Sequence, residues 1–252
     1  MAAIYTRDAV NEKPNLQATE PGYGRRRIGQ MKKKALILGA SGGIGSAITR
    51  RLEAAGWSVT GLSRSADGFD YADPDRVDTL LSDIDTTFDM IFIATGALEI
   101  DGTGPEKALR QLDADAMAAQ FRVNTIGPAM ILRHAARLLP RDREARLAAL
   151  SARVGSIGDN ALGGWYGYRA AKAALNQIVH TASIELARTH PQAVCVALHP
   201  GTVATPLTEV HGRGHDKHSP DEAARHLMGV LDRLTPADSG HLFDWRGDPI
   251  PW

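Results

Sequence analysis

Ala35-Leu36-Ile37-Leu38 runs without a break into Gly39-Ala40-Ser41-Gly42-Gly43-Ile44-Gly45, and that junction decides the fold. The four apolar residues predict a short buried strand. The glycines predict a tight turn, and the apolar spacing beyond them predicts a helix through Leu52. A helix that starts near Gly43 aims unpaired N–H groups and its positive dipole end at whatever occupies the turn. Missing β-carbons let a pyrophosphate approach the backbone and let the helix lie close to the strand. The spacing is Gly-x-x-x-Gly-x-Gly, not Gly-x-Gly-x-x-Gly, and no Gly-Lys-Ser/Thr ends it as in a Walker loop. Gly39, Ser41, Gly43, Ile44 and Gly45 are the candidate phosphate-side residues.

The alternation continues outward from this junction. Ser58–Leu62 reads as a second strand and Phe69-Asp70-Tyr71 as a short third. Residues 74–82 read as a helix with Pro74 in its first turn. Met90–Ala94 is a fourth strand, residues 113–139 a long helical stretch, and Leu147–Leu150 a fifth strand. A helix over 166–189, a sixth strand over 193–198, a helix from Pro220 to Leu234 capped by Ser219, and a seventh strand over 241–243 complete the pattern. Apolar strands without clear alternation, separated by helices, predict a parallel sheet covered on both faces. The expected architecture is α/β: a Rossmann-type, doubly wound sheet of about seven parallel strands in a single domain over 31–252. Residues 1–30 hold Pro14, Pro21, several glycines and Arg25-Arg26-Arg27, and are expected to form an extended or disordered arm.

The 29 basic and 29 acidic residues cancel, which removes the broad positive field that nonspecific nucleic-acid binding needs. No apolar run approaches the roughly 20 residues that cross a bilayer. The single cysteine, Cys195, lies in an apolar run and is expected to be a buried strand residue, with neither a disulfide nor a structural zinc site. His211, His215 and His218 cluster in a loop expected to act as a substrate lid, and their spacing does not suggest a metal site. A cytoplasmic enzyme is the expected class.

The end of the second strand selects among nucleotides. An acid there would accept hydrogen bonds from the adenosine ribose hydroxyls. Leu62-Ser63-Arg64-Ser65 has none, and Arg64 suits a 2′-phosphate, so NADP(H) is predicted over NAD(H). Tyr168 and Lys172 lie four residues apart at the start of a predicted helix and so share a face. An ammonium beside a phenol stabilises the phenolate and lowers its pKa, which suits proton transfer to or from a carbonyl oxygen.

Together these residues resemble the short-chain dehydrogenase/reductase family over about 33–245, with the Gly39–Gly45 turn similar to its cofactor loop. Ala94-Thr95-Gly96 resembles the family's Asn-Ala-Gly element. Asn124 matches its active-site asparagine, Tyr168 and Lys172 its catalytic pair, and Pro200-Gly201-Thr202-Val203-Ala204-Thr205 its nicotinamide loop. Gly163–Tyr168 and Gly247–Trp252 look similar to the C-factor-like and carbonyl reductase branch. The resemblance implies hydride transfer between nicotinamide and a carbonyl carbon. It makes Tyr168 the proton donor and has Lys172 acidify Tyr168 and bind the ribose. Asn124 would support a proton route to Lys172. It implies that Ala94, Thr95, Gly96, Pro200, Gly201, Val203 and Thr205 contact the cofactor. A small carbonyl or alcohol substrate and a homodimer or homotetramer follow by the same resemblance. A weakly catalytic NADP-binding signalling protein is the alternative.

The sequence departs from the family at Leu150-Ser151-Ala152-Arg153-Val154-Gly155-Ser156. The family's second serine, which contacts the substrate oxygen, is replaced by Ala152. Ser151 is placed ahead of Ser156 as its substitute by adjacency at a bending strand end. The third alternative is that no hydroxyl takes the role.

Overall fold

In a computed structural model, residues 32–205 and 217–252 are described. The expectations for residues 1–30, for the domain start at Met31 and for His211 and His215 lie outside them.

Seven strands form one sheet in the order β2-β1-β3-β4-β5-β6-β7. They are β1 (Lys34–Leu38), β2 (Ser58–Leu62), β3 (Met90–Ile93), β4 (Ala145–Leu150), β5 (Ala193–His199), β6 (Leu242–Asp244) and β7 (Pro249–Ile250). The first six pair in parallel, and β7 runs antiparallel to β6. The sheet is thus the doubly wound α/β one expected, but its seven strands are not the seven read from sequence. Phe69–Tyr71 forms no strand. Phe69 and Tyr71 instead pack edge to face, and the Tyr71 ring fills the space left by Gly127. Aromatic burial there outweighs strand propensity, which is a weak preference. The unforeseen strand is β7, which uses Pro249 on a sheet edge where no ladder donor is needed.

Alternate side chains of β1 enter different cores. Leu36 and Leu38 join Ile91, Leu147 and Cys195 under one helical layer, whereas Ala35 and Ile37 join Phe92, Val196 and Leu198 under the other. α1 (Gly43–Ala54) covers the second face with Ala47, Ile48 and Leu52. α2 (Arg64–Asp67) and α3 (Pro74–Ser82) follow β2, and Asp73 caps α3 at the Arg76 N–H. The single helix expected over 113–139 is broken into α4 (Ala114–Phe121), a π-helical stretch Arg122–Ile126, α5 (Gly127–Leu132) and α6 (Ala135–Leu138). π segments are rare and concentrate at functional sites. α7 (Tyr166–Ala187) lies against the first face, and α8 (Pro220–Arg233) against the second, its N-terminus closed by a Ser219–Glu222 capping box. Among the described residues, no helix is long and apolar enough to cross a membrane.

Strand order reverses at β1, with β2 on one side and β3 on the other. A parallel sheet opens a crevice at that reversal, beyond the C-terminal strand ends. The Gly39 turn, Ala94–Gly96, Ala152 and Pro200–Thr205 all follow the C-terminal ends of their strands, so the fold gathers them on one edge.

Candidate active site

The glycine turn is tied to β2 by its backbone. Gly39, at φ 86°, and Ala40 both donate N–H to the Leu62 carbonyl, which ties the turn to the end of β2. A β-carbon at Gly45 would collide with the Gly39 carbonyl, and one at Gly43 would lie 2.8 Å from Thr205 Cγ2. The structure therefore brings the turn and the loop after β5 together across the crevice. These Cβ-free surfaces and the open N-terminus of α1 fit a dinucleotide pyrophosphate.

Ser63 and Arg64 begin α2. The Ser63 hydroxyl accepts the Ala66 N–H, and the Asp67 carboxylate accepts the Ser63 N–H at 2.8 Å. Ser63 is buried in this local cap, while Arg64 is exposed and free of it. Thr95 pairs with the hydroxyl of Tyr71 at 2.5 Å, and its Cγ2 would lie 3.0 Å from a β-carbon on Gly39. Tyr71, not singled out from sequence, thus braces the cofactor side of the crevice.

Tyr168, Lys172 and Asn176 line the buried face of α7 at successive turns. Gly155, in the turn Arg153–Gly155 after β4, lets that turn approach the face: a β-carbon on it would sit 2.8 Å from Lys172 Cβ. Lys172 Nζ donates to the Leu150 carbonyl at 2.9 Å and lies 5.8 Å from the Tyr168 ring centre. Burial pulls the amine down to about 7. Burial also pushes the Tyr168 phenol up, opposite to the acidification expected. The physical reason is that desolvation of a phenolate in this pocket outweighs an ammonium that is turned toward a backbone carbonyl.

Asn124, in the π segment, is fully buried. Its Nδ2 donates to the Ala97 carbonyl and to Gln120 Oε1, both at 2.8 Å, and its Oδ1 accepts the Ala97 N–H at 3.1 Å. A β-carbon on Gly96 would be 3.1 Å from Asn124 Oδ1 and 3.2 Å from Lys172 Nζ. Asn124, Lys172 and Gly96 therefore meet at one point.

The hydroxyl of Ser151, the serine placed first as the substitute for the one missing at Ala152, is engaged with α7. Ser151 Oγ donates to Asn176 Oδ1 at 2.6 Å, and Ser151 is 4% exposed. Asn176 lies two turns beyond Tyr168, about 12 Å along the helix. Ser151 faces into the packing because side chains alternate on β4, as far as the strand end and past it. Ser156 Oγ accepts the Asp159 N–H, and Ser156 is buried as well. Ala152, in extended conformation, is the second residue after β4 and precedes the turn Arg153–Gly155.

Sequence reading also missed two supports for Tyr168. The Glu106 carboxylate accepts the Gly167 N–H at 3.1 Å, closing the α7 N-terminus. Arg169 donates to the carbonyls of Val154, Gly163 and Gly164, clamping the loop before the helix. Trp165 takes a left-handed backbone at φ 54° and packs edge-on to Tyr168, with ring centres 6.3 Å apart. Of the histidines expected on the lid, His218 is described. It forms a β-bridge with Val203 and packs edge to face with Trp245.

Residues 39–241 match the family model described as enoyl-(acyl carrier protein) reductase. The chain belongs to the short-chain dehydrogenase/reductase family. It is 32% identical over 232 residues to 1-hydroxy-2-glutathionyl-2-methyl-3-butene dehydrogenase of Rhodococcus sp. (strain AD45), covering 86% of this chain and 98% of that one. It is 38% identical over 149 residues to C-signal of Myxococcus xanthus, covering 58% and 84%. Among solved structures, a putative short-chain dehydrogenase/reductase from Burkholderia multivorans with bound NADP superposes with a TM-score of 0.73. The two share 26% identity, over 88% of this chain and all of that one. The chain is therefore an oxidoreductase of this family.

Proposed function

We propose that the protein is an NADP(H)-dependent oxidoreductase that interconverts a small or medium carbonyl compound and its alcohol. The observation that carries this is the buried convergence of Tyr168, Lys172, Asn124 and Gly96 beside a glycine cradle. Exposed Arg64, with no acid between Leu62 and Ser65, supports the 2′-phosphorylated coenzyme, as does the NADP bound in the Burkholderia relative. When bound, the nicotinamide supplies or accepts the hydride.

The chain's own residues handle the proton. A phenol that burial keeps neutral is a proton source for the oxygen of a carbonyl being reduced. Lys172 holds a positive charge beneath Tyr168 and stabilises the phenolate left behind. With Ala152 at the serine position, Tyr168 is the hydroxyl we assign to the substrate oxygen. Gly39, Ser41, Gly43, Ile44 and Gly45 would hold the pyrophosphate. Ala94, Thr95, Gly96, Pro200, Gly201, Val203 and Thr205 would frame the nicotinamide end. A homodimer or homotetramer belongs to the same proposal and is read by light scattering.

Ala152 and the likeness to C-signal favour one second reading, a cofactor-binding signalling protein with little turnover. The test is NADPH and NADH oxidation across a panel of ketones and aldehydes, with coenzyme affinity measured in parallel. We expect NADPH to be oxidised with at least one carbonyl and NADH to bind more weakly. Tight NADPH binding without oxidation across the panel selects the second reading.

A further inference from the structure

The hydrogen bonds around Asn124 run in one direction, set by both backbone groups of Ala97 and, through Gln120, by the Leu98 carbonyl. Gln120, on the last turn of α4 and 6% exposed, donates from Nε2 to the Leu98 carbonyl at 2.9 Å. A carbonyl can only accept, so Gln120 must turn its amide nitrogen there and its Oε1 toward Asn124. Asn124 must then present Nδ2 to that oxygen, and it does so at 2.8 Å. The other Nδ2 hydrogen goes to the Ala97 carbonyl. Both Asn124 donors are spent; its oxygen accepts the Ala97 N–H and lies beside Gly96, where Lys172 Nζ also approaches. Turning the Asn124 amide over would set its oxygen against two acceptors, Gln120 Oε1 and the Ala97 carbonyl. It would also aim its donors at the Ala97 N–H and the Lys172 amine.

We propose that Gln120 is a positioning residue for proton transfer: it locks the Asn124 amide with its oxygen toward Lys172. The inference rests on the functional reading above, because it assigns Asn124 and Lys172 to the reaction's proton path. Gln120 touches neither substrate nor cofactor in this assignment. It acts through Asn124, from the turn of α4 that precedes the π segment. The Cα atoms of Gln120 and Asn124 are separated by the switch from α to π backbone, so helix geometry alone does not fix the pair.

The test compares the full-length wild type with Gln120→Met and Gln120→Glu. Met fills similar space without polar atoms. A protonated Glu reproduces both hydrogen bonds, donating to Leu98 O and accepting from Asn124. The ionised form cannot donate, and it sets a carboxylate against the Leu98 carbonyl. For Gln120→Met we expect kcat to fall roughly tenfold or more, within the ~10²-fold that a misplaced group costs. NADPH affinity should stay within about twofold, since the amide is remote from the glycine cradle. For Gln120→Glu we expect near wild-type kcat at acid pH and a new descending limb as the buried carboxyl ionises. In the ligand-free protein, Asn124 side-chain amide hydrogens should exchange slowly in the wild type and faster in Gln120→Met. Unchanged exchange in Gln120→Met, or a Gln120→Glu profile of wild-type shape, overturns the assignment. A wild type that never oxidises NADPH defeats the functional reading instead, and the exchange measurement still decides where Gln120 holds Asn124.

Discussion

Two buried asparagines flank Lys172, and they are held differently. Asn124 spends both amide hydrogens and its oxygen on three neighbours, Gln120 and both backbone groups of Ala97. Asn176, one turn along α7, accepts from Ser151 through Oδ1, and its buried Nδ2 has no hydrogen-bond partner among the described residues. A satisfied buried amide is rigid and specifies one geometry, whereas an unsatisfied one costs stability and tolerates replacement. The Asn124 side is therefore built to orient chemistry. The Asn176 side is packing, and it has drawn Ser151 into it.

The largest effect expected from breaking this contrast is at Tyr168. Tyr168→Phe removes the hydroxyl assigned to the substrate oxygen. It should lower kcat by about 10³-fold or more while NADPH still quenches intrinsic fluorescence. Lys172→Met should lower kcat by about 10²-fold and alter stability with a definite sign. The Lys172 amine lies near 7 in the fold and near ~10.4 when unfolded, so between these values the unfolded chain binds more protons. Wild-type stability should thus rise from about pH 7 toward pH 10, and the rise should flatten in Lys172→Met, as read by urea melts. In the wild type, carbonyl reduction should decline as pH climbs through about 7 and Lys172 discharges.

Ala152→Ser should sharpen the comparison by returning a hydroxyl at the family's serine position. We expect kcat to rise, by up to about tenfold, with Tyr168 unchanged. Ser151→Ala should do the reverse of a catalytic change. It leaves Asn176 without its donor and costs about 1–3 kcal/mol of stability, yet turnover should hold within about twofold. A large loss of turnover without loss of stability would return Ser151 to the reaction.

Much of the site was legible because its residue types are forced. Gly39 needs a left-handed backbone and Gly45 a bare α-carbon against a carbonyl, so the turn announced itself. Tyr168 and Lys172 share a face by helical period alone. Glu106 and Tyr71 gave little signal, because each acts on a residue brought near by chain crossings. Glu106 caps a helix that starts at Tyr166, and Tyr71 reaches Thr95. One local cue existed for Gln120, its place one helical turn before Asn124, but only the Leu98 carbonyl gives it a direction.

The sequence by itself determined the parallel sheet, the glycine turn and the helix that carries the Tyr168–Lys172 pair, since periodicity, bare glycines and apolar strands are local properties. Tertiary structure alone decided where Ser151 points, how the phenol titrates and which atom of Asn124 faces Lys172. Those outcomes depend on which acceptors and how little water lie within a few ångströms, and side chains distant in the chain supply both.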